Sequence, residues 1–223
     1  MLIIGLVGKE RVGKDTFSDY VIDKYGFKKY NLAKPIKDIA NIMFGWDNDK
    51  LEGSSKDKVD EKLGIKPRDF FTWFGTEIGQ FSLHHKFPNL KIPPRSIWSL
   101  AMDNWIQQQY NENNDCYIII PDVRFCHEMD VLTKYNPIII NITKSYPFTD
   151  QTISNRSYQQ VSNNNYQLDD LLQNYEIHYT INNNKTLEKY KQNISKLMKI
   201  LHLGLNKLLF TDDDLKSNYT MYI

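Results

Sequence analysis

Cysteine is nearly missing: Cys116 and Cys126 are the two in a chain of 223 residues. They form neither a CxxC motif nor a disulfide-dense pattern, which argues against a stapled extracellular fold and points to a reducing compartment. An excess of either charge is missing too. Lysine and arginine number 28 against 27 acidic residues, a net charge of +1, so the chain as a whole is not built to coat a polyanion. Any phosphate it binds must be met by a local cluster. Apolar runs of membrane-spanning length are absent, and the apolar start Met1 to Val7 lacks the charged leader and cleavage site of a signal peptide. The expectation is a soluble cytoplasmic protein that engages neither a membrane nor a nucleic-acid polymer. No internal repeat is visible.

What the chain does hold is an alternation of strand and helix signals over a length suited to one sizeable core. Leu2 to Val7 is a short apolar run bounded by Gly8, the pattern of a strand covered on both faces. Phe17, Tyr20, Val21 and Tyr25 then fall on one helical stripe that Gly26 closes. A strand is expected around Phe27 to Leu32, and Pro35 suits the first turn of a helix running to about Phe44. Gly45 to Lys66, rich in Asp, Lys, Ser and Gly, reads as an exposed excursion. One helix follows from Pro67, with Phe70, Phe71, Phe74, Ile78 and Phe81 as its apolar side. Another follows a Ser96 cap and carries Ile97, Leu100, Ala101 and Trp105. Further strands are expected at Cys116 to Asp122, Pro137 to Ile142 and Glu176 to Ile181, with helices over Arg124 to Tyr135 and Thr186 to Leu203. This alternation predicts an α/β fold: a mainly parallel five-stranded sheet covered by helices on both faces. The polar, Asn-rich run from Lys144 to Gln173 has no clear period and reads as a lid or a partly ordered insertion.

Between the first strand and first helix lies GKERVGKDT, Gly8 to Thr16. A loop that wraps a phosphate must turn backbone N–H groups toward the anion, and Gly8 and Gly13 permit the close approach this needs. Lys14 adds a point charge for phosphate oxygens. Asp15 stands where such loops usually carry a hydroxyl, so Thr16 takes that role. Asp15 reads either as the holder of a metal-bound water or as an acidic residue favoured at a helix start. Arg11, inside the loop, either points at the transferring group or lies in solvent. Asp122, ending the Ile118-Ile119-Ile120 strand, sits where a second acidic motif would reach a metal or its water, and Arg124 and Glu128 follow it toward the same edge of the sheet. Two metal patterns fail. His127-Glu128-Met129-Asp130 lacks the second histidine of a zinc helix, and the adjacent His84 and His85 diverge on a helix.

Taken together, GKERVGKDT (8–16), LAKPIKD (32–38), PRDFFTWFGTE (67–77), the helix start at Trp98 and YIIIPDVRFCHEMD (117–130) resemble the deoxynucleoside monophosphate kinases of large bacteriophages and viruses. That resemblance implies a P-loop, nucleoside-monophosphate-kinase-like three-layer α/β/α fold. It implies one kinase domain over residues 1–204, with a substrate-side helical excursion at 45–95, a lid at 144–175 in which Arg156 is a candidate arginine, and a tail at 205–223. The activity implied is transfer of the γ-phosphoryl group of ATP to a (deoxy)nucleoside 5′-monophosphate. Gly8, Gly13, Lys14, Asp15 and Thr16 would hold ATP, and Lys37, Arg68, Asp122, Arg124 and Glu128 would face the acceptor. Lys14, Arg11, Asp122 and Arg124 would serve the transfer itself. Mg²⁺ would accompany ATP, touched by Asp15 and Thr16 mainly through water. A homodimer stays open. So do two other readings of these residues, a phosphomevalonate-kinase-like small-molecule kinase and a non-catalytic module that holds a nucleotide without transferring phosphate.

Overall fold

The computed structural model describes residues 1–93, 95–145 and 167–207. They form two compact units, one built from Met1–Lys29 with the described residues from Asn114 onward, the other from Tyr30–Asn113. Most of the expected lid, Arg156 and the chain beyond residue 207 lie outside the described residues.

The first unit is organised around β1 (Leu2–Val7), every residue of which is buried. A strand can be apolar along its whole length only if both of its faces are covered. β1 is accordingly the middle strand of a sheet ordered β2-β3-β1-β4-β5, with β2 at Lys28–Lys29, β3 at Tyr117–Ile120, β4 at Ile138–Thr143 and β5 at Tyr179–Asn182. All four pairings are parallel, with Leu2 opposite Tyr117 and Val7 opposite Asn141. Side-chain alternation assigns the two faces. Leu2, Ile4 and Leu6 pack with Phe17 and Val21 of α1 (Lys14–Tyr25) and with Tyr190, Ile194 and Leu197 of α8 (Leu187–Lys207). Gly5 points the other way, toward Leu132 of α7 (Cys126–Thr133), where a β-carbon would lie 3.5 Å from Leu132 Cδ1. Helices therefore cover both faces, as the alternation predicted. β2 is shorter than its expected span of Phe27 to Leu32. It is an edge strand with β3 as its neighbour, and a short edge limits the unpaired backbone a sheet presents to other chains.

The second unit begins with α2 (Lys34–Phe44), which has Pro35 in its first turn and Gly45 at φ 66° as its stop. The excursion that follows is more than a solvated loop. It runs through one turn of helix, α3 (Asn48–Leu51), and a 3₁₀ turn at Ser54–Asp57, and Trp46 is buried within it. The Trp46 indole N–H donates to Asp60 Oδ2 at 3.1 Å, Lys50 donates to the same oxygen at 2.7 Å, and Asp60 Oδ1 accepts from the amides of Lys62 and Leu63. A polar composition hid this anchor because the one aromatic residue of the excursion stands among charged and small residues. The helix from Pro67 starts as expected in α4 (Pro67–Trp73), widens into a π-helix over Phe74–Ser82 and closes in α5 (Leu83–Lys86). Trp98 explains the local packing: its indole N–H donates to Gly75 O at 2.8 Å, and its ring packs against Gly79. In α6 (Ile97–Glu112) the buried positions are Ser99, Met102, Asp103, Ile106 and Gln109, one step round the helix from the expected stripe. Ser96 precedes this helix without capping it, since its hydroxyl donates back to Pro93 O.

Candidate active site

Parallel pairing of β1 with both β3 and β4 brings the carboxyl ends of these strands to one edge, the edge at which open α/β sheets bind ligands. From that edge the chain leaves β1 into Gly8–Gly13 and enters α1 at Lys14. Gly8 has φ 140° and Gly13 φ 108°, values that side chains disfavour. The space is equally restrictive. A β-carbon on Gly8 would meet Ile142 O at 2.4 Å, and one on Gly13 would meet Asn183 Nδ2 at 2.5 Å. Arg11 also has a left-handed backbone, φ 63°, and its side chain is exposed. The first amides of α1 lack helical partners by construction, which gives the loop an anion-attracting end.

Lys14 lies across this loop. Its ammonium donates to Gly8 O at 2.6 Å and Lys9 O at 2.7 Å, and it pairs with Asp122 Oδ1 at 3.3 Å. Two hydrogen bonds and one ion pair thus hold the ammonium in place. Asp122 follows β3, and its neighbour Val123 donates to Leu6 O of β1 at 3.0 Å, which fixes the corner against the start of the loop. Asp122 Oδ2 holds Arg124 through both Nε, at 2.7 Å, and Nη2. Two of the cations expected at the site, Lys14 and Arg124, are thus organised by one carboxylate.

Glu128 was expected to face the acceptor, and the structure shows what it does within its own unit. Its Oε2 accepts from the amides of Arg124 at 2.7 Å and Phe125 at 3.1 Å, which shapes the turn into α7. Burial pushes its carboxyl up to about 7, against the downward pull of these two amides. Asp15 is exposed and pairs with Lys29 at 3.8 Å, and Thr16 is half-buried beside it. Lys37 and Arg68 belong to the second unit, and each already has an acidic partner there. Lys37 pairs with Glu52, and Arg68 grips Asp57 through Nε and, at 3.0 Å, through Nη2. Among the described residues no cluster of three or more His, Cys, Asp and Glu side chains suits a metal ion. His84 Nε2 donates to Ile92 O at 2.8 Å, as an ordinary structural histidine does.

Sequence reasoning missed two residues that touch the loop. Asn183, just past β5, donates from Nδ2 to Val12 O at 2.8 Å, and Tyr190 of α8 donates its hydroxyl to Gly13 O at 3.0 Å. Burial raises the Tyr190 hydroxyl pKa, so it remains a donor through the physiological range. Asn183 is hidden in a polar run, and Tyr190 shares its stripe with residues that are purely core. The only available signal was the clustering of Asn182, Asn183 and Asn184 directly after a strand.

Comparison with known proteins agrees with the resemblance read from the residues. A family model described as deoxynucleotide monophosphate kinase matches residues 2–65. A protein of Acanthamoeba polyphaga mimivirus that carries that name provisionally is 27% identical over 155 residues, 68% of this chain and 79% of its own. The deoxynucleotide monophosphate kinase of Enterobacteria phage T4 is 24% identical over 198 residues, 65% of this chain and 82% of its own. Among solved structures, dephospho-CoA kinase from Campylobacter jejuni aligns over 91% of this chain and 98% of its own, with 14% identity and a TM-score of 0.47. At that level of likeness the fold stands on the strand order above.

Proposed function

We propose that the chain transfers the γ-phosphoryl group of ATP to a (deoxy)nucleoside 5′-monophosphate. The observation that carries this reading is the 3.3 Å pairing of Lys14 with Asp122, which ties the phosphate loop to the Asp122–Arg124 corner at one sheet edge. The two viral relatives named as deoxynucleotide monophosphate kinases support the choice of acceptor.

The chemistry asks little covalent work of the protein. An oxygen of the acceptor's 5′-phosphate attacks the γ-phosphorus, the bond from γ-phosphorus to the β,γ-bridging oxygen breaks, and ADP leaves with that electron pair. The attacking oxygen is already anionic, so no general base is required. Positioning and charge stabilisation supply the rate. Asp122 therefore acts by orienting cations, holding Lys14 toward the triphosphate and Arg124 toward the transferring group. Arg11, carried in the loop, adds charge to the equatorial oxygens. Gly8, Gly13 and the amides entering α1 cradle the triphosphate. Lys37 and Arg68 serve the acceptor phosphate, exchanging Glu52 and Asp57 for it, and Glu128 keeps the Arg124 turn in shape. Mg²⁺ supplies charge neutralisation on the triphosphate. Asp15 and Thr16 offer it hard oxygen donors without a closed protein cage, which suits an ion that keeps its waters. Residues 1–204 work on this reading as one kinase domain in the cytoplasm.

The test is ADP formation from ATP with each deoxynucleoside monophosphate, with phosphomevalonate and with no acceptor. Turnover that depends on a nucleotide acceptor supports the proposal. Turnover with phosphomevalonate alone, or nucleotide binding without turnover, overturns it in favour of the small-molecule kinase or the binding module.

A further inference from the structure

Besides Lys14, two side chains from the carboxyl-terminal part of the sheet unit fasten the phosphate loop, Asn183 at Val12 O and Tyr190 at Gly13 O. We propose that Asn183 and Tyr190 are positioning residues that aim two successive loop amides at the triphosphate. This rests on the reading of Gly8–Thr16 as a triphosphate grip.

The geometry follows from the peptide bond. In a planar trans peptide the C=O of one residue and the N–H of the next point in opposite directions. Asn183 Nδ2 draws Val12 O toward the β5–α8 connection at 2.8 Å, so the Gly13 N–H points away from that connection. Tyr190 draws Gly13 O at 3.0 Å, and the same oxygen accepts from Phe17 N at 3.0 Å, so the Lys14 N–H points out of the amino end of α1. Fixing the two carbonyls therefore orients the two amides that flank Gly13. Glycine at that position has the widest choice of dihedrals, so without the clasp this is the part of the loop most free to turn its amides elsewhere.

The clasp is itself rigid. Asn183 donates its own amide to Thr143 O at 2.8 Å, extending the β4–β5 ladder by one residue. Its neighbour Asn184 accepts from Ser145 N at 2.6 Å and donates to Ser145 Oγ at 3.0 Å. Tyr190 is 1% exposed and packed among Phe17, Val21 and Ile194. The fit is also close enough to restrict the sequence. A β-carbon at Gly13 would stand 2.5 Å from Asn183 Nδ2 and 3.2 Å from the Tyr190 ring, so the glycine serves the clasp as well as the anion.

The test uses the full chain, with Asn183→Ala, Tyr190→Phe and the double variant. The Tyr190→Phe change removes one oxygen and keeps the ring that fills the core. Calorimetric titration with ATP and ADP measures the grip without reference to turnover, and steady-state kinetics separates KM for ATP from KM for the acceptor. Each single variant is expected to weaken ATP binding about three- to ten-fold, the range one hydrogen bond commands. KM for the acceptor and the unfolding temperature of Tyr190→Phe should stay near wild type. The double variant should lose more than the product of the two single losses, because either fastening alone still restrains the peptide units around Gly13 and only the double variant releases both. Wild-type affinity for ATP in both single variants, or a fall in kcat alone that tracks the folded fraction, would overturn the proposal by reducing the clasp to ordinary packing. If wild type bound ATP but transferred no phosphoryl group, the kinase reading would fail while the affinity losses would still decide the clasp.

Discussion

Lys14 donates to two loop carbonyls and pairs with Asp122, so its charge is placed before any phosphate arrives. Removing a preorganised cation from a phosphoryl-transfer site typically costs on the order of a hundred-fold or more in turnover. Lys14→Ala is expected to lose at least that in kcat/KM, measured by ADP formation, with little change in unfolding temperature. Asp122→Asn keeps the shape but releases both Lys14 and Arg124, and kcat should fall more than KM for ATP rises. Glu128 makes a prediction of a different kind. Its folded pKa, about 7, lies above the ordinary 4.5, so between those values the folded state holds the proton more tightly than the unfolded chain. Stability from this group is therefore present below pH 4.5 and lost as pH rises toward 7, by at most about 1.4 kcal/mol per pH unit. Glu128→Gln, followed by chemical denaturation across that window, should remove this contribution and leave stability rising with pH there. Lys14, Asp122 and Arg124 were legible as residues because spacing marks them. Asn183 and Tyr190 were not, because an amide reaching a carbonyl across the fold leaves no local pattern.

Elements were legible where periodicity and burial agree. The Ile-rich runs of β1, β3 and β4 pair as expected because each lies inside a sheet covered on both faces. α6 was misread by one step. Its apolar residues Ile97, Leu100, Ala101 and Trp105 are only partly covered, whereas Ser99, Asp103 and Gln109 go inside, so hydrophobicity pointed to the wrong stripe. The π-helix was illegible because its partner Trp98 comes from another helix. Gly79→Ala would place a β-carbon 2.3 Å from the Trp98 ring and should cost about 1–3 kcal/mol by denaturation, as overpacking does. The junction of β4 and β5 carries a pH signature opposite to that of Glu128. His178 Nδ1 accepts from Ile139 N at 3.1 Å, and burial lowers its pKa from the ordinary 6.5, so the neutral ring is the folded form. Stability from His178 is complete above pH 6.5 and drains away as pH falls below it. The Glu128 and His178 slopes partly cancel in wild type, and His178→Phe should expose the Glu128 slope alone.

For the whole molecule, the strand order β2-β3-β1-β4-β5 explains why residues more than a hundred positions apart share a site. β3 lies beside β1 and parallel to it, so the turn after one strand meets the turn after the other. The class of fold was open to sequence reasoning because alternating strands and helices admit few sheet topologies. The acceptor side was less so. Lys37 and Arg68 carry the right charge, yet each is matched by a carboxylate, Glu52 or Asp57, and a single sequence does not reveal such pairs. On the proposed reading, the loop at Lys14 and the corner at Asp122 handle the donor and acceptor phosphates of one reaction. Its most direct measurement follows the label from γ-labelled ATP incubated with wild-type protein and a deoxynucleoside monophosphate. Label is expected in the deoxynucleoside diphosphate, at a rate that collapses in Lys14→Ala and Asp122→Asn alike. Label found only in inorganic phosphate, or transfer that survives Asp122→Asn undiminished, would contradict it.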